Sequence, residues 1–516
     1  MNLCNFLDFA NLSNDPHMIV NSTWQWTQVL SPRLFSSSLA SLFPLQITME
    51  LDAPLLPVLP EIPQANCIVG RLPTATPITM RIASIHYSDN RLNWNVASLD
   101  LMLRLELAEA VIHSQSSITD VVFPNNLLPF HVNQALLDQL KKNYGGSHWL
   151  LWPKPRALET SEAGYAQWLN GIVDELKDIT GHEPCRTWNN HFSTIPLPGV
   201  VSRCKPDLIL IKPNDTEAWV NVSAVCEVMS EQGFPAQICN TVRQEAFFTF
   251  CTQPDWHFFP SLSFSGGEFT FSTFDQAGMI NMGSLSPDIN VLSFLQIIVG
   301  FMFSPDNVIG FDPTMTWSSD GSGTVQKIIV NSVEYTVIEC IFPLETVRGC
   351  ATWCWHVSKG EKHYVIRDSW CLQSQKLELE VLVKMVDVEG VPCLVDWEDV
   401  ALCGQIDTTA TQCIGLSYAE VRVHHHMVLE PVAKPLSEFK SKKELIQVFV
   451  DIVKSMFISS WGLTMLLIHL DSVHQVLCEE KHILHQDISL NNLMLYNHSP
   501  NDRTCQGMII DFDYSS

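Results

Sequence analysis

Positive charge is scarce in this chain. Against 55 Asp and Glu stand only 30 Lys and Arg, a formal net charge of −25 over 516 residues. Nucleic acids and anionic membranes are held by basic surfaces, so the balance argues against nonspecific binding to either. A membrane span is also missing. The most apolar stretch, Met456 to Leu470, is too short and is broken by Ser459, Ser460 and Gly462. The first residues, Met1 to Asn21, carry Asp8 and Asp15 and no basic segment, so no secretory signal is expected there. The sixteen cysteines show neither CxxC pairs nor a regular spacing, which points to reduced thiols and an intracellular setting, cytoplasmic or nuclear. Hydrophobic residues make up 46% of the chain, enough for large cores in two or three domains.

The chain divides by composition. Residues 1–130 mix Pro-rich pieces (Pro54, Pro57, Pro60, Pro63, Pro73, Pro77) with one amphipathic helix near Leu99 to His113 and read as a loosely ordered arm. Residues 131–317 read as an α/β domain. A helix over about Glu162 to Asp178 carries Tyr165, Leu169, Ile172 and Leu176 at helical spacing. Leu208 to Ile211 and Ala218 to Met229, joined by Lys212-Pro213-Asn214-Asp215, read as a hairpin. Further helices are expected near Pro235 to Cys251 and Val291 to Phe303. Residues 318–325, including Ser318-Ser319-Asp320-Gly321-Ser322-Gly323, form a linker, and 326–516 a last domain.

The chemistry concentrates near the C-terminus. His485-Gln486-Asp487-Ile488-Ser489-Leu490-Asn491-Asn492 is followed by Met508-Ile509-Ile510-Asp511-Phe512-Asp513. An Asp that can accept a hydroxyl proton, an Asn five residues on and an Asp leaving an apolar strand form, in that order, the base and metal apparatus of phosphoryl transfer. His-x-Asp-Ile-Ser-x-x-Asn with Ile-Asp-Phe-Asp-Tyr resembles the fungal-type protein kinase family, with Asp513 where Gly usually follows Asp-Phe. The resemblance runs from about Ala163 onward. It implies a protein-kinase-like fold that binds ATP and Mg2+ and acts on a protein substrate.

On that resemblance, Asp487 is the catalytic base, and Asn492 and Asp511 hold magnesium. His363-Tyr364-Val365-Ile366-Arg367-Asp368-Ser369-Trp370 resembles the strand whose Lys meets the phosphates; Arg367 takes the Lys position, with a wider planar fork. Glu378 is the expected partner of that cation, because Val381 and Leu382 then fall on the buried face of its helix; Glu380 is the alternative. Val347-Arg348-Gly349-Cys350-Ala351-Thr352-Trp353 sits where a phosphate-cradling loop belongs but keeps one glycine, Gly349. Gln486 stands where Arg is common. Glu430-Pro431-Val432 is the hinge, and Ser455 to Ile468 looks inserted.

Two other patterns stand out. Pro206-Asp207 and Glu227-Val228-Met229 are similar to the metal-binding core of restriction-nuclease-like folds, with Met229 in the Lys position. Loss of that cation favours a scaffold, with Asp207 and Glu227 at solvated strand ends. His424-His425-His426 invites a metal assignment, but successive strand residues point to opposite faces and cannot all converge on one ion. The expectation is therefore an α+β protein: a degenerate α/β nuclease-like domain, then a kinase-like small lobe with a large lobe truncated after Asp-Phe-Asp. The function expected is transfer of the ATP γ-phosphoryl to protein Ser or Thr. An inactive pseudokinase or interaction module is the alternative, and a metal-dependent nuclease the third.

Overall fold

Leu208 and Leu210 face one core and Ile209 the opposite one; Ala224 and Cys226 likewise oppose Val225. The period of two, apolar at every step, makes a sheet buried on both faces. In the computed structural model, which describes residues 96–513 except 109, 114–117, 154–161, 201, 230–234, 319–322, 375–377, 387, 403, 411–419, 454–480 and 497–505, this is a seven-stranded mixed sheet. Its strands are β1 (Val111–His113), β2 (Thr187–Asn189), β3 (Leu208–Ile211), β4 (Ala224–Met229), β5 (Phe259–Ser265), β6 (Glu268–Asp275) and β7 (Gly278–Asn281). Their spatial order is β1-β7-β6-β5-β4-β3-β2, with β4–β5 and β1–β7 parallel. Helices α1 (Val96–Glu106), α2 (Glu162–Thr180), α3 (Pro235–Thr252) and α4 (Val291–Phe303) cover it. α2 and α4 share one core, α1 and α3 the other. Each buried Leu or Phe contributes about 1.5–3 kcal/mol.

The expected hairpin is present, Leu208 opposing Cys226, though its second strand starts only after a 3-10 turn at Trp219–Asn221. The expected arm is not one over its described part. Leu99, Met102, Leu103 and Leu107 are buried, the helix stops at Glu106, and His113 lies in β1, paired beside β7. The pairing is long-range, so no local pattern announces it. The Pro-rich residues before 96, the linker residues 319–322 and the whole of the supposed insertion, Ser455 to Ile468, lie outside the described residues.

A second seven-stranded sheet is antiparallel throughout: β8 (Met315–Trp317), β9 (Val325–Val330), β10 (Val333–Pro343), β11 (Trp353–Lys359), β12 (Lys362–Leu372), β13 (Cys393–Asp399) and, after a small β14–β15 hairpin (Ala401–Leu402, Gln405–Ile406), β16 (Arg422–Glu430). The order is β13-β16-β12-β11-β10-β9-β8. Helix α5 (Glu378–Lys384) packs Val381 and Leu382 against one face, together with α6 (Lys442–Val453). Beneath lies a three-stranded sheet of β17 (Lys434–Pro435), β18 (Leu493–Tyr496) and β19 (Gln506–Ile509). The architecture is α+β. Ten cysteines among the described residues are free thiols, and no described helix is long and apolar enough to cross a membrane.

Candidate functional site

Alternation along β12 turns Val365 and Arg367 toward the α5 side, and Ile366 to the opposite core. The β18–β19 hairpin then brings the two C-terminal motifs together: Leu493 pairs with Ile509, and the Ile510 amide donates to the Asn492 carbonyl at 3.0 Å. The result is one cleft of about 380 Å³ between the second sheet and the hairpin. Arg367, Glu378, Asp487, Asn492, Asp511 and Asp513 all line it at its polar end; Val365, Leu429, Met494 and Ile510 supply apolar walls.

A buried cation organises the polar end. The Arg367 fork reaches the Glu378 carboxylate through one nitrogen, and Asp511 at 3.1 Å and Asp513 at 2.6 Å through the other. Burial opposes a charged guanidinium here, but Asp513, Glu378 and Asp511 overcome it and hold Arg367 ionised more firmly than usual. Burial, Asp513 and Asp511 together push the Glu378 carboxyl up to about 7 in spite of Arg367. Burial also raises Asp513. The second Glu378 oxygen accepts the Phe512 amide at 2.9 Å, which ties α5 to the Asp-Phe-Asp turn.

The catalytic-loop motif is held just as closely. Asn492 Nδ2 donates to the Asp487 carbonyl at 2.9 Å and lies 3.4 Å from its carboxylate. His485 is fully buried; its Nε2 donates to the Ile510 carbonyl at 3.0 Å, and its ring packs on Phe512 with centroids 4.6 Å apart. Gln486 and Asp511 take positive φ, 62° and 69°, conformations that side-chain-bearing residues adopt at a cost and that cluster at functional sites. The oxygens of Asp487, Asn492 and Asp511 form the hard donor set that suits Mg2+.

Five of the six residues expected from sequence meet in this cleft; Gly349 does not line it. The 344–352 turn joins β10 to β11 as expected, but three of its amides are already taken. Val347 and Arg348 donate to the Glu106 carboxylate, Val347 N at 2.8 Å, and Gly349 N donates to the Gln276 carbonyl at 3.0 Å. Val347 is fully buried in the core beside α1, and burial pushes Glu106 up to about 7. The turn is thus an anchor on the first domain, and none of these three N–H groups is left for a phosphate. Asp513 and His485 are the residues missed. The paired departures at 367 and 513, a wider cation and an added acid, were the signal for Asp513.

Asp207 and Glu227 are not at solvated strand ends. Glu227 is buried; its carboxylate accepts the Asp207 amide at 3.1 Å, and Asp207 accepts the Val228 amide at 2.8 Å. Burial is the main cause that raises Asp207 to about 6 and Glu227 to about 8, and it raises Glu245 as well. The Glu227 and Glu245 carboxyls are close enough to share a proton, and an ionised pair would leave both Glu245 oxygens without a donor.

No curated protein matches the chain. The family model described as fungal protein kinase matches residues 205–414 and 410–516. That is more than half of the sequence, it begins inside the first sheet and it takes in every residue of the cleft named above, and the chain belongs to this family.

Proposed function

We propose that the cleft binds ATP with Mg2+ and transfers the γ-phosphoryl to a Ser or Thr hydroxyl of a protein substrate. The observation that carries this reading is the convergence of Asp487, Asn492 and Asp511 on one cleft beside the Arg367–Glu378 pair. Asp487 orients the hydroxyl and accepts its proton as the oxygen attacks phosphorus. Arg367, positioned by Glu378, meets the nucleotide phosphates, and the apolar walls receive the base. Asn492 and Asp511 would hold magnesium, which when bound neutralises charge on the phosphate oxygens. His485 is a positioning residue that ties the base loop to the strand before Asp511.

A second reading, a nucleotide-binding or interaction module without turnover, draws on a specific contact. Arg367 spends its fork on three carboxylates, Asp511 among them, so the guanidinium competes with magnesium for the same acid.

The test is incubation of the purified chain with Mg2+, labelled ATP and a mixed protein substrate. Incorporation should fall about 10²–10⁴-fold in Asp487→Asn, while the thermal shift given by ATP and Mg2+ is kept. A thermal shift without incorporation in the wild-type chain establishes the second reading. Neither shift nor incorporation sinks both.

A further inference from the structure

Behind β12, on the face opposite the cleft, lies a second polar cluster with no part in the chemistry above. His424 and His426 are two residues apart on β16 and point to the same side. His425 points to the other, where it meets Asp399 at 2.6 Å. Asp368, the neighbour of Arg367 on β12, faces the pair, 2.6 Å from His424 Nε2 and 3.7 Å from His426 Nε2. The first domain contributes His257 and Asp312, brought together by the Trp256–Phe311 bridge and the Asp312 N to Asp255 O bond at 2.7 Å. Asp407, just after β15, completes the group. All six are buried, His257 and His426 completely.

The donor atoms are arranged for an ion. Asp312, His424 and His426 bring theirs within 4.8 Å of one another, as do His257, Asp407 and His424. His257 Nε2 is 3.8 Å from Asp312 Oδ1, and His426 Nε2 is 4.0 Å from Asp312 Oδ2. These gaps are too long for hydrogen bonds. His257 Nε2, His426 Nε2 and Asp312 Oδ2 accordingly have no hydrogen-bond partner, although they are buried. A proton cannot bridge such distances. A metal can, since donors 2.0–2.1 Å from a tetrahedral ion stand ~3.4 Å apart. The outer nitrogens already face carboxylates: His257 Nδ1 on Asp407, His424 Nε2 on Asp368 at 2.6 Å, and His426 Nδ1 3.4 Å from Glu398, while His424 Nδ1, 3.3 Å from Asp407, has no hydrogen-bond partner. Carboxylates behind metal-bound imidazoles fix the tautomer and aim the inner nitrogen.

We propose that His257, Asp312, His424 and His426 bind a structural Zn2+ ion, with Asp407, Asp368 and Glu398 orienting the rings, and that this ion staples the first domain to the kinase-family sheet. Zinc is the assignment because imidazole-rich sites with a single carboxylate, closed to solvent, suit that ion better than Mg2+ or Ca2+. The site is independent of turnover in the cleft, so its test needs no activity.

The full chain, purified without added chelator, is analysed for metals by mass spectrometry, and its melting is followed before and after exhaustive chelation and zinc re-addition. The expected results are about one zinc per chain, a Tm that falls on chelation, and a Tm restored by zinc. Asp312→Asn, nearly the same in shape, should bring the metal content below about 0.1 per chain, and Asp407→Asn should weaken zinc affinity about 10–100-fold. His425→Ala, on the other face, should keep the ion. A folded wild-type chain that carries no stoichiometric metal, and whose Tm responds to neither chelator nor zinc, overturns the site. A stoichiometric divalent ion other than zinc overturns the choice of metal. Should Asp312→Asn fail to fold, the chelation and re-addition on the wild-type chain decide alone.

Discussion

Two groups of three acids, each partly or wholly buried, make an instructive pair. In the first sheet, Asp207, Glu227 and Glu245 cluster with no Lys or Arg paired to them among the described residues. In the cleft, Glu378, Asp511 and Asp513 surround Arg367. Burial alone raises carboxylates, so each group must find a cation or keep its protons. The first holds its protons to higher pH than usual, because burial raises all three carboxyls. The second has a guanidinium, and the Lys-to-Arg change makes sense in that light. A five-donor fork can reach three carboxylates from one position, which a compact ammonium would not do as well.

The largest effect expected from breaking this contrast is in Arg367→Met. Removing the cation strands one buried and two partly buried acids, and stability should drop by about 3–5 kcal/mol in denaturant unfolding; a loss under about 1 kcal/mol would show that the acids simply take up protons. Next comes Glu245→Gln. The acids of the first cluster sit above their unfolded range, so the native state holds protons that the unfolded chain has released. Stability tied to them is whole below about pH 4 and is lost as pH climbs through about 6 for Asp207 and about 8 for Glu227. Glu245→Gln should therefore raise stability by about 1–2 kcal/mol at pH 8 and by less at pH 5. An equal change at both values would refute the shared-proton account.

Asp513→Gly takes one acid from the Arg367 fork. It should cost about 1 kcal/mol of stability and tighten ATP–Mg2+ binding about tenfold in calorimetry, since less must be displaced; unchanged affinity would mean that the third acid does not compete. The smallest effect belongs to Lys142→Met. The Lys142–Asp178 pair is exposed on both sides, and melting should not move measurably.

Much of the cleft could be read from the sequence because its residues sit in ordered local patterns. Asp487 and Asn492 share one loop, and Glu378 is fixed by Val381 and Leu382 on the same helix. What stayed hidden depends on distant partners. Gly349 reads as a phosphate loop until Glu106, from the far end of the chain, is seen to hold the neighbouring amides. The helix at Val96–Glu106 shows in its apolar spacing, yet its place in the core follows from β1 lying beside β7. The histidine run was read correctly as unable to converge whole. That two of the three could be joined by His257 and Asp312 was invisible, because those come from another domain.

The anchored 344–352 turn has a mechanical consequence. A flap that is riveted to its neighbour at Glu106 and Gln276 is held in place by the layers around the first sheet, so the ceiling of the cleft is tied to them.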